Sequence, residues 1–92
     1  MLVLNADDVR RALPMAAAIE AMRQAFAALS AGRAVAPPRA HLPVEPHDGV
    51  SLVMPAFVRD EQGDALAVKV VSLFDRNPER GLARIQAAVL VL

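Results

Sequence analysis

The chain has 92 residues, 55% of them hydrophobic, with ten basic and ten acidic side chains and no cysteine. That is room for one small domain, too apolar for intrinsic disorder, with no thiol for a disulfide or a thiolate metal site. No stretch of about 18 apolar residues is free of charge, so a membrane-spanning helix is not expected, and the start lacks the basic flank and long apolar core of a secretion signal.

Asn5 is placed to cap a helix, with Asp7 and Asp8 in the first turn, where the helix dipole favours acid. Pro14 stops that helix and suits an early position of the next one, where its missing N–H costs nothing. From Met15 the large apolar residues recur at Ile19, Met22, Phe26 and Leu29, in steps of four and three. This is one stripe of an amphipathic helix, and Gly32 ends it. Pro37, Pro38, Pro43 and Pro46 then forbid helix and demote any strand there to an edge. Arg39 and His41 alternate with Ala40 and Leu42, as a short extended segment would. His47-Asp48-Gly49 reads as a turn. Val50 to Val58 and Ala65 to Phe74, joined by the polar run Arg59 to Asp64, predict an antiparallel hairpin. Asp75 to Gly81 is a loop, and Ile85 to Leu92 a further strand. The fold class expected is α+β, N-terminal helices on an antiparallel or mixed sheet. An apolar strand at Leu92 suggests an N-terminal piece of a longer protein, or an obligate partner in an oligomer.

Charge singles out few residues. Nine of the ten basic side chains are arginine, and Lys69 is the one lysine. It sits within Ala65 to Phe74 among apolar neighbours on both strand faces. A strand of that kind is usually buried, and a buried ammonium must be paired or lose its proton. The competing reading is an edge-strand lysine that snorkels into water. Arg39 follows two prolines that stiffen its backbone, which favours a fixed aim for a two-point grip on a carboxylate; the alternative is a solvated loop arginine. His41 and His47 lack metal-ligand spacing and read as loop histidines. Met54 by itself reads as a core gap-filler. The glycines at 32, 49, 63 and 81 are too scattered for a phosphate-binding loop, and no basic cluster with interleaved aromatics suggests nucleic acid.

Several segments in order resemble the ornithine cyclodeaminase/mu-crystallin family: Leu4-Asn5-Ala6-Asp7-Asp8-Val9, the helix to Ala31-Gly32, Pro38-Arg39, Met54-Pro55-Ala56, Ala67-Val68-Lys69, Asn77-Pro78 with Gly81-Leu82, and Gln86-Ala87 before the last strand. The resemblance covers nearly the whole chain. It implies that residues 1–92 are the N-terminal part of the substrate-binding and dimerisation domain of a homodimeric, NAD(P)-dependent oxidoreductase, with a Rossmann domain following in sequence; the absence of cysteine fits a cytoplasmic protein. By the same resemblance Arg39 and Lys69 hold the carboxylate of a small α-amino or α-imino acid. Lys69 also lies by the reacting carbon, and Met54 is counted in the substrate-binding set, with Arg84, a departure from the family pattern, as a further candidate. Members that cyclise ornithine carry an acid two positions before the Met-Pro, where this chain has Leu52, so an imine reductase or amino-acid dehydrogenase is favoured over ornithine cyclodeaminase. The family often has Gly-Leu-Pro-Thr where this chain has Gly81-Leu82-Ala83-Arg84. Arg84 is thus either another carboxylate ligand or a solvent-facing residue.

The competing classes are a non-enzymatic carboxylate-binding or dimerisation module and an inactive truncated product. With no glycine fingerprint in the 92 residues, no cofactor is expected to bind this segment alone. Calorimetric titration of the chain with NADPH is expected to give no heat of binding; saturable heat would contradict this.

Overall fold

The structure, a computed structural model, describes residues 1–92. Two helices, α1 (Ala6–Ala12) and α2 (Met15–Ser30), precede five strands: β1 (Ala34–Val35), β2 (Ala40–Val44), β3 (Gly49–Val58), β4 (Ala65–Phe74) and β5 (Ile85–Val91). Short 3-10 turns at Glu45–His47 and Asn77–Arg80 separate the later strands. All pairings are antiparallel. The order is β1-β3-β4-β5, and β2 lies beside β1 along the same edge of β3. The expected α+β class holds, with no parallel pair. No helix is long and apolar enough to cross a membrane.

Asn5 caps α1 as its sequence predicts. Its side-chain oxygen accepts from the Asp8 N–H at 2.9 Å, and its own N–H donates to Asp8 Oδ2 at 3.0 Å. Leu13, just before the proline, takes an extended backbone that cannot continue the helix. Pro14 is the cap of α2 rather than its first helical residue. Gly32, at φ 75°, turns the chain out of the helix.

The hairpin of β3 and β4 pairs ten residues with ten, from Gly49 opposite Phe74 to Val58 opposite Ala65. Pro55 is tolerated inside β3 because β1 covers only Phe57 and Val58, while β2 covers Gly49 to Val53. Proline falls in the gap between them, where no neighbouring strand needs an N–H from it. Val50 to Val58 is therefore a sheet interior on one side and half open on the other.

Side chains alternate across this sheet, and directly paired residues share a face. One face carries His41, Leu52, Met54, Lys69, Val71 and Val89 among its members; the other carries Ser51, Ser72 and Phe74. A half-buried Ser51–Ser72 hydroxyl pair, 2.9 Å apart, marks the second face.

The stripe of α2 faces away from the sheet. Met15, Ile19, Met22, Phe26 and Leu29 are exposed, whereas Ala28 is 2% exposed and Ala18 and Ala25 are half-buried. The helix meets the sheet through its alanines, roughly a third of a turn round from the large residues. The amphipathic pattern is real, but its partner is not this sheet. Only Ala28 and Leu52 are buried in the whole chain.

The surface is correspondingly large. The chain exposes 7571 Å², where a compact monomer of its mass exposes about 5,200 Å². Its radius of gyration is 15.7 Å, against about 12 Å for a compact domain of this length.

Gly49 has a packing reason. A Cβ there would run into the Phe74 ring and come within 3.0 Å of the Leu73 carbonyl oxygen. Gly49→Ala is expected to destabilise the fold by about 1–3 kcal/mol, read as a lower urea midpoint at unchanged slope.

Candidate functional site

β4 lies between β3 and β5, so Lys69 is not on an edge strand. Its direct neighbours are Met54 on β3 and Val89 on β5. It is not buried either: the face above it is open in this chain and its side chain is exposed. The expected burial of Lys69 and the alternative edge position are corrected, while the exposure that went with the alternative is what the structure shows. An interior strand whose face is uncovered leaves its lysine exposed.

Arg39 stands one residue before β2, in the Pro37-Pro38-Arg39 connection that passes the gap beside Pro55. The β2–β3 register pairs Ala40 with Val53 and His41 with Leu52. Continued by one residue, it sets Arg39 opposite Met54. Met54, Lys69 and Val89 form one row across the sheet, and on that continuation Arg39 would extend it. Neighbouring strands are about 4.8 Å apart, so the Arg39 and Lys69 backbones are about 10 Å apart with Met54 between them. Two long cationic side chains can converge above a half-buried methionine floor.

The surroundings make this row distinctive. On the face that carries Lys69, the paired strand residues are Ala34, His41, Pro43, Val50, Leu52, Met54 and Ala56, then Val58, Ala65, Ala67, Val71, Leu73, Ile85, Ala87, Val89 and Val91. None is acidic. The five ion pairs of the chain are exposed and tie up other arginines, leaving Lys69 and Arg39 without a carboxylate partner. An apolar surface with basic groups and no acid is chemically suited to an anion with an apolar body.

Arg84 is not brought to this row. Its carbonyl accepts from the Phe74 N–H at 2.9 Å, which places it five residues along β4 from Lys69, about 17 Å away. Its guanidinium holds Asp75, with Nη2 at 2.7 Å and Nε at 2.8 Å from Oδ1. The solvent-facing alternative fits this position: the side chain is 60% exposed and is engaged by an acid of the neighbouring loop.

His41 is the residue that the reading as a loop histidine missed. It is a strand residue on the Lys69 face, two positions from Arg39, with Leu52 directly opposite. The signal was the alternation of Arg39 and His41 with Ala40 and Leu42. His47 does lie in a turn, beside a polar depression of about 320 Å³ lined by Phe74, Arg76 and Arg80 among others. No three His, Asp or Glu side chains converge on a point that could hold a metal.

Leu52 is 9% exposed, on the site face one pair along from Met54. An acid at this position would face the same surface; leucine makes it an apolar wall.

The Ornithine cyclodeaminase/mu-crystallin family profile matches residues 1–92. The chain belongs to that family. It is similar to a Delta(1)-pyrroline-2-carboxylate reductase of Bacillus cereus, 32% identical over 91 residues, covering 99% of this chain and 27% of the relative. It is also similar to the solved structure of the Thermococcus litoralis Delta(1)-pyrroline-2-carboxylate reductase in complex with NADH and L-proline. There the identity is 40% and the TM-score 0.90, over 99% of this chain and 28% of that one. The chain thus spans just over a quarter of the length of the relatives it matches.

These relatives are reductases, one of them holding NADH. The residues present here do not form a dinucleotide site. The sheet is wholly antiparallel, with no strand–helix–strand crossover, and the glycines at φ 75°, 134° and 73° lie in three separate turns.

Proposed function

We propose that these 92 residues are the N-terminal part of the substrate-binding and dimerisation domain of an NAD(P)-dependent imine reductase. The substrate is a small cyclic α-imino acid of the Δ1-pyrroline-2-carboxylate type. The observation that carries this is the sheet face with Lys69, the adjoining Arg39 and no acid. Arg39 grips the substrate carboxylate in two places, and Lys69 shares that charge and lies by the carbon to be reduced. Met54 supports the ring from below, and Leu52 offers the ring apolar contact instead of a partner for a second amine, which favours a cyclic imine over ornithine. The relatives that reduce pyrroline-2-carboxylate support the same substrate class.

A dinucleotide, bound by the intact protein, would supply the hydride. This chain's contribution is to bind and orient the acid and to exclude water from its apolar side. Homodimerisation is supported by the excess exposed surface and by the apolar β5 edge. A cytoplasmic location goes with the cofactor class. The second reading, a carboxylate-binding module without turnover, keeps the same roles for Arg39 and Lys69.

In the full-length protein, Lys69→Ala is expected to lower kcat/KM for Δ1-pyrroline-2-carboxylate about 100-fold or more. Wild-type turnover would sink the assignment. Loss of a charge-assisted contact in Arg39→Ala is expected chiefly to raise KM, by about 10- to 100-fold, with kcat little changed; an unaltered KM would contradict the carboxylate role.

A further inference from the structure

The Lys69 face holds one more group able to carry positive charge, and the proposed site so far gives it no task. We propose that His41 is a third substrate-binding residue, whose imidazole N–H donates to the carboxylate held by Arg39 and Lys69. This rests on the reading of the site given above.

Three observations place it there. The β2 register puts His41 on the same face as Lys69, and Arg39, one residue before β2, would join them if the two-residue alternation continues. His41 is one pair along from the Arg39–Met54–Lys69 row, about 7 Å along the strand, which a side chain tip can span toward a ligand lying over Met54. Its direct neighbour is Leu52, the most buried large side chain in the chain, so the ring lies against an apolar wall. Nothing in the chain bonds the ring: His41 takes part in no side-chain hydrogen bond and no ion pair.

The chemistry of the ligand needs such a donor. A carboxylate offers about four lone-pair sites. A bidentate arginine occupies one on each oxygen, a lysine takes a third, and an imidazole N–H completes the set. The apolar residue at 52 matters here as well. An acid directly opposite His41 would claim the imidazole for itself, whereas leucine leaves it free for substrate. Positions 41 and 52 therefore act as a pair in setting specificity, one binding the acid group and the other refusing a distal amine.

The test is calorimetric binding of pyrrole-2-carboxylate, a planar five-membered-ring acid, and of the neutral pyrrole-2-carboxamide to the full-length protein. His41→Phe keeps a ring of similar size and removes the donor. It is expected to weaken carboxylate binding about ten-fold while carboxamide binding stays within about two-fold. His41→Gln, which keeps an N–H, is expected to recover most of the loss. If His41→Phe does not fold, His41→Leu, apolar and compatible with a strand, makes the same comparison. Unchanged carboxylate binding in a folded variant overturns the proposal, as does an equal loss for both compounds, which would mean packing alone. Arg39→Ala and Lys69→Ala are measured alongside. If they weaken carboxylate binding and the His41 variants do not, only the role of His41 fails. If none of the four positions' variants, Leu52→Ala included, changes binding, the site reading itself fails.

Discussion

The unbroken ten-residue ladder between β3 and β4 is the constraint on which the remaining structure depends. Because side chains alternate with a period of two, a slip of one residue would move Lys69 to the opposite face from Met54. Every other strand takes its register from this hairpin. β2 adds on one side and brings His41 opposite Leu52, and β5 adds on the other and brings Val89 beside Lys69. The gap between β1 and β2 admits Pro55 and gives the Pro37-Pro38-Arg39 connection a place beside Met54. One register thus decides which residues share a surface four strands wide.

That surface has an unusual electrostatic character for so neutral a chain. Ten acids balance ten bases overall, yet the acids lie on helices, turns and loops, where several pair with nearby arginines. The exposed pairs contribute little to stability. Their effect here is spatial: they draw acid and arginine together away from the sheet and leave its one charged face purely basic. The opposite face carries only neutral polar groups, the Ser51–Ser72 pair and Gln86. A carboxylate approaching the sheet meets favourable charge on one side alone.

The same structure shows how little of its apolar surface these 92 residues cover by themselves. The large residues of α2 point outward, β5 is exposed along its length, and the alanine side of α2 is what meets the sheet. Small side chains at that contact let helix and sheet approach closely, at the cost of little buried area. Strand ladders, which need no deep core to form, hold the fold where packing does not. This matches a chain that aligns with just over a quarter of its reductase relatives.

Much of the architecture was legible in the sequence because its signals are local. The Asn5 cap, the stop at Pro14, the three-four spacing in α2 and the hairpin around Arg59 to Asp64 each depend on neighbours within a few residues, and each formed where expected. Lys69 and Arg39 stood out for comparably local reasons, an isolated charge in an apolar strand and a proline-stiffened arginine. Local pattern could not say that α2 would turn its large residues away from the sheet, since periodicity defines a stripe and not its partner. Nor could it say that Arg84 would hold Asp75, or that His41, in a segment already read as extended, would pair opposite Leu52 and share a face with Lys69. The sequence by itself determined which segments are helix and strand, the family they belong to and which residues carry charge. Only the tertiary structure decided which charges share a face, because that follows from strand register, which sets His41 beside Leu52, Met54 beside Lys69 and Lys69 beside Val89, pairs 11 to 20 residues apart in sequence.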